Sequence, residues 1–70
     1  MARRSIDAAH FATKLDDAGY TIYQLASHCG IGVWKVKALL RKAFTPSKYL
    51  RKKIYTALAS SDNYIFPIIT

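Results

Sequence analysis

Thr21-Ile22-Tyr23-Gln24-Leu25-Ala26-Ser27-His28-Cys29-Gly30-Ile31-Gly32-Val33-Trp34-Lys35-Val36-Lys37-Ala38-Leu39-Leu40 is the stretch that decides the fold. Thr21 and Gln24 form a T-x-x-Q capping box, in which each residue satisfies an orphan amide of the other and so starts a helix. Ile22, Leu25, Ala26 and Cys29 then recur at helical spacing as a buried stripe. Gly30 stops that helix, because a left-handed residue costs least as glycine. Ile31-Gly32 leaves room only for a tight turn before a second periodic segment. There Val36, Leu39, Leu40 and Ala43 gather on one side and Trp34, Lys37, Ala38 and Arg41 on the other, with Val33 at the boundary. Two short helices joined through Gly30, with small Ala26 where they cross, make a helix-turn-helix pattern.

Working outward, helices are expected over about 5–18, 21–29, 32–42 and 46–60. In the first, Ala8, Phe11, Ala12, Leu15 and Ala18 form the apolar face, Ser5 or Asp7 caps the start and Gly19 follows the end. His10 is expected to be exposed. In the last, Leu50, Ile54, Ala57 and Leu58 form the stripe, with Pro46 allowed in the first turn. Residues 1–61 are therefore expected to form the domain, mainly α with four to five helices. Residues 62–70 form a short apolar C-terminal arm, read as a short strand or an irregular segment. Tyr64, Ile65, Phe66, Ile68 and Ile69 of that arm are expected to form a dimer interface, since exposed apolar patches often mark one.

The chain has 70 residues and a formal net charge of +7. That length holds one core and leaves little room for a catalytic pocket. The charges are segregated. No acidic residue stands between Ala18 and Ser61, whereas Lys35, Lys37, Arg41, Lys42, Lys48, Arg51, Lys52 and Lys53 all do. Such a run without local partners points to a polyanion outside the chain. The single cysteine, Cys29, rules out an internal disulfide framework and implies a reducing, cytoplasmic setting. His28 and Cys29 have no further ligands at metal spacing, so Cys29 is read as a small core residue. No nucleophile–base set or glycine-rich phosphate loop is present. The expectation is a binding protein rather than an enzyme, without metal, cofactor, small-molecule effector or membrane span.

Gly19-Tyr20-Thr21-x-x-Gln24-Leu25-Ala26, Gly30-Ile31, Val36, Leu39, Pro46-Ser47 and Ile54-x-x-Ala57-Leu58 together resemble the lambda-repressor-like (Xre/Cro) helix-turn-helix regulators, over more than half of the chain. Part of the stretch, Thr21-Ile22 to Leu39, also resembles the headpiece of the lac-repressor family, which has no helix like that expected at 5–18. The first resemblance implies a small repressor of phage or mobile-element type that occupies operator DNA as a homodimer. It places the helix beginning near Gly32 in the major groove and the helix from Thr21 across the backbone. Trp34, Lys37, Ala38 and Arg41 then become base readers, and the resemblance adds Val33. Arg41 and Lys37 carry donors for guanine O6 and N7, while Val33 and Ala38 suit thymine methyls. The helix starts at Thr21 and Gly32 offer amides to phosphate. Tyr23, Lys35, Lys42, Lys48, Arg51 and Lys52 are further phosphate-binding candidates. Arg3 and Arg4 are read as a basic N-terminal arm. The sequence departs from the family at Ile22, where a polar residue is usual, at Trp34, where small polar residues are usual, and at Lys42, where a glycine commonly ends the helix. The alternatives are an excisionase-like or architectural DNA-bending protein, and an antitoxin or inhibitor that binds a protein through its apolar arm.

Overall fold

Each helix of this chain is set by its first and last backbone groups. In the computed structural model, which describes residues 4–68, α1 spans Ala8–Ala18, α2 Ile22–Cys29, α3 Val33–Leu40, α4 Lys48–Ala57 and α5 Asp62–Ile65. Four of the five starts carry a side-chain cap. Asp7 accepts from the His10 amide, Thr21 from Gln24, Ser47 from Leu50 and Ser61 from Tyr64. The Thr21–Gln24 box is present in both directions, at 3.2 and 2.9 Å. Gly32 starts α3 without a side-chain cap.

The first four helices end alike. Gly19, Gly30, Lys42 and Ala59 all take left-handed backbone, with φ of 71°, 70°, 58° and 51°. The amide that follows each one reaches back five residues. Tyr20 donates to the Leu15 carbonyl, Ile31 to Ala26, Ala43 to Ala38 and Ser60 to Tyr55, at 2.8–3.0 Å. These bonds satisfy carbonyls that the helix end leaves unpaired. The two ends marked by glycine fall where the sequence places them. The other two correct it: α3 stops at Leu40 rather than 42, and α4 at Ala57 rather than 60. Neither a lysine nor an alanine announces a left-handed turn by its own chemistry; for Lys42 the sign was the family resemblance, which has a helix-ending glycine at that position.

The core is built from Ile6, Phe11, Leu25, Ala26, Cys29, Val36, Leu39, Leu50, Ile54, Leu58, Ile65 and Phe66. α2 packs on α3 and α4, while α5 packs on α1 and α4. The α1 face is rotated from the expected one. Phe11 is buried and Leu15 half-buried, but Ala8, Ala12 and Ala18 are exposed. The reason is Tyr64 of α5, which stacks its ring on His10 at 4.1 Å and receives Lys14 over its face at 5.4 Å. That draws the His10–Lys14 side inward, so His10 is half-buried rather than exposed.

The C-terminal segment is also different from the expected arm. Its first residues form α5, and Ile65 and Phe66 are completely buried in the chain's own core. Residues 5–7 run extended beside it. The Asp7 amide donates to the Ile65 carbonyl at 2.8 Å, and Arg4 pairs with Ile68 in an isolated antiparallel bridge. Ile65 and Phe66 of this segment thus belong to the same core as the rest, with Tyr64 packed against it. Ile65 and Phe66 are removed from the expected dimer interface because both are spent on folding, and half-buried Tyr64 is engaged by His10. Ile68 is 51% exposed. Ile69, like Arg3 of the expected basic arm, lies outside the described residues. No helix among the described residues is long and apolar enough to cross a membrane.

Candidate nucleic-acid interface

The turn between α2 and α3 determines what α3 presents. Gly30 ends α2 in left-handed backbone, Ile31 bonds back to the Ala26 carbonyl, and Gly32 at φ −72°, ψ 143° launches α3. Val36 and Leu39 then lock the inner face of α3 into the core with almost no exposure. Burying two such side chains contributes about 3–6 kcal/mol, which fixes the opposite face in orientation.

That outward face carries Trp34, Lys37 and Arg41, all exposed, with Ala38 half-buried beside them. Trp34 is 71% exposed, and its ring lies back over Gly32. A side chain at position 32 would collide with the indole, so the glycine is needed for close approach here and not for its backbone angle. Lys37 leans toward α2, with its ammonium 5.6 Å from the centre of the Tyr23 ring. Tyr23 is itself exposed, so a cation–π pair links the two helices on the outer surface. Trp34, Lys37, Leu40 and Arg41 line an open groove of about 470 Å³. Val33 is half-buried and packs against the core, with part of its surface remaining at the helix start.

The surrounding candidates divide into free and committed groups. Lys42, Lys48 and Lys52 are exposed and Lys35 is half-buried. The Thr21 amide is already donated to Gln24, so it is not available to a phosphate. Arg51 is likewise committed. Its Nε donates to Asp62 at 3.1 Å, another guanidinium nitrogen donates to the Pro46 carbonyl at 3.1 Å, and the side chain is 15% exposed. Arg4 is not a free arm. It lies 3.3 Å from the second Asp62 oxygen and donates to Asn63 and to the Phe66 carbonyl, each at 2.9 Å. One aspartate therefore holds two arginines and ties the chain's start to α4 and α5. These two corrections share a cause: the acidic partner stands eleven residues from one arginine and 58 from the other, beyond any local charge pattern.

Two features went unread in the sequence. Lys53 donates to the Cys29 carbonyl at 3.4 Å, placing a cation on the negative end of α2. It also sits 4.8 Å from the ring of Tyr49, which is 71% exposed. The Tyr49–Lys52–Lys53 clustering is visible in the sequence, but its closure against His28 and Cys29, as a groove of about 480 Å³, depends on how α2 and α4 pack. Burial raises the Cys29 thiol above its ordinary pKa, with nearby Lys53 pulling the other way. That is the behaviour of an inert core cysteine rather than a nucleophile.

Comparison with protein-family models, with characterised proteins and with solved structures finds no match to this chain.

Proposed function

We propose that this chain is a sequence-specific double-stranded DNA-binding regulator of the lambda-repressor-like kind, a small repressor that acts by occupying operator DNA as a homodimer. The observation that carries the reading is the outer face of α3. Trp34, Lys37 and Arg41 project from a helix anchored by Val36 and Leu39, in a stretch without any acidic residue from Ala18 to Ser61. A short helix with exposed donors and one apolar ring, held behind a capped partner helix, suits insertion in a major groove. Lys35 and Lys42 at α3 and Lys48 and Lys52 on α4 serve as phosphate contacts, which position a protein without reading sequence. Arg41 reads guanine through its two-pronged donor set, and Ala38 and the free edge of Val33 meet neighbouring base edges. Repression follows from competition for promoter DNA.

The test is selection of duplexes from a random pool, followed by binding of the winner to Arg41→Ala. Losing a base-reading arginine weakens binding by about 1–3 kcal/mol and relaxes the preference at one position of the site. A pool from which no duplex is enriched refutes DNA recognition. An Arg41→Ala variant with unchanged affinity and preference refutes the assigned reading face.

A further inference from the structure

The groove on the outer face of α3 has a composition that a general DNA clamp does not need. Its walls are the indole of Trp34 and the side chain of Leu40, and its cations are Lys37 and Arg41. Two observations make it more than a chance concavity. Trp34 is held against Gly32, where no side chain competes for the space, so the ring has a seat although the residue is 71% exposed. The Lys37 ammonium is drawn sideways to Tyr23, which leaves the apolar walls uncovered and Arg41 as the cation at the far end. The Arg41 side chain is exposed and makes no hydrogen bond or ion pair with the described residues, its backbone amide alone donating to the Lys37 carbonyl.

The major-groove edge of a base pair offers one apolar group, the C5 methyl of thymine; cytosine offers the same position when methylated. An apolar wall beside an arginine therefore matches a methyl-bearing pyrimidine beside a guanine. The spacing can be bounded. Trp34 and Arg41 are seven residues apart, or about 10 Å along α3, which spans about three base-pair steps. We infer that this groove is a subsite for the C5 methyl group of a pyrimidine within about three base pairs of the guanine read by Arg41. The inference rests on the DNA-binding reading above and names the ligand chemistry of one part of that face.

The experiment takes the duplex selected from a random pool and replaces its thymines one at a time with deoxyuridine, which removes only the methyl group. One position within three base pairs of a guanine should then lose about fourfold in affinity, the worth of one buried methyl. At that position 5-methylcytosine should bind more tightly than cytosine. Trp34→Ala should bind the thymine and uracil duplexes equally, while Trp34→Phe keeps the discrimination because it keeps an aromatic wall. A uracil scan that is flat at every position overturns the inference and leaves DNA binding standing. Discrimination that survives Trp34→Ala and is lost in Val33→Ala overturns it too, by assigning the methyl to the other end of the helix. Failure to enrich any duplex brings down the DNA-binding reading, and the inference falls with it.

Discussion

Ala59→Gly should make this protein more stable. Ala59 ends α4 with φ 51°, in the left-handed region where a Cβ crowds the following carbonyl. That conformation costs an ordinary residue about 1–2 kcal/mol, and glycine nothing. Glycine in turn loses about 0.5–1 kcal/mol because its unfolded chain has more freedom to give up. The difference is a gain of about 0.5–1 kcal/mol, which for a domain this small raises Tm by about 2–8 °C. Ala59 has an exposed side chain, so no packing is lost. Lys42→Gly, at φ 58°, should gain by the same route. The converse substitution supplies the control. A Cβ on Gly30 would meet nothing within 4 Å, so Gly30→Ala should lose a net of about 0.5–1 kcal/mol from the backbone terms, with no steric clash added. Thermal and urea unfolding of the three variants read all of this directly. If Ala59→Gly leaves the midpoint unchanged or lowers it, while Gly30→Ala costs nothing, the shared left-handed ending of these helices is refuted.

Gly32→Ala should act differently, since its φ of −72° suits alanine and the conflict is with the Trp34 ring. The indole must swing away, which shifts tryptophan fluorescence with little change in Tm; unchanged emission would show that the ring does not rest there. Arg51→Ala and Lys48→Ala should separate folding from binding. Arg51→Ala breaks a largely buried ion pair with Asp62 and one further hydrogen bond to the Pro46 carbonyl, costing about 1–3 kcal/mol of stability while leaving the salt dependence of DNA binding as it was. Lys48→Ala should leave Tm alone and reduce the slope of log affinity against log salt by about 0.9, and the reverse pattern would exchange their roles. The raised Cys29 thiol predicts a loss of stability in alkali, because the unfolded thiol releases its proton first and stability then falls as pH rises through the folded value. Chemical denaturation at pH 8 and 10 should show that loss in the parent and not in Cys29→Ala; equal slopes would refute it.

The parts of the fold legible in the sequence are those whose signals are local. α2 was bounded correctly at both ends, since Thr21–Gln24 and Gly30 are spacing rules within one helix. Periodicity found buried Val36 and Leu39 on α3 and the exposure of Trp34, Lys37 and Arg41, whereas Leu40 is only half-buried and Ala43, past the helix end, is exposed. The tail was not legible for a related reason. Tyr64-Ile65-Phe66-Pro67-Ile68 is apolar throughout, and a helix of four residues is too short to display a 3.6-residue period. Ser61, whose hydroxyl accepts from Tyr64, was the one local sign of a helix start there. What the segment covers could not be read at all. Its partners are Arg4 and His10, more than fifty residues away, and they settle whether an apolar run is an arm or a core.

The same distinction changes what the charge of +7 means. Counted along the chain, every arginine and lysine from 35 to 53 belongs to one basic field. Counted in space, Asp62 holds Arg51 and Arg4, and Lys53 sits on the carbonyl end of α2. Those cations are occupied in holding the chain's start, α2, α4 and α5 together. The cations left facing outward are Lys37 on α3, Arg41 capping its end, and Lys42, Lys48 and Lys52 after it, with half-buried Lys35 on the helix itself. On the DNA-binding reading proposed above, a duplex meets these outward cations rather than every basic residue of the chain. The acidic residue that stands alone at the far end of the sequence sets this division. By binding two arginines it spares the fold two unpaired guanidinium groups, while the basic side chains of α3 have no ion pair among the described residues.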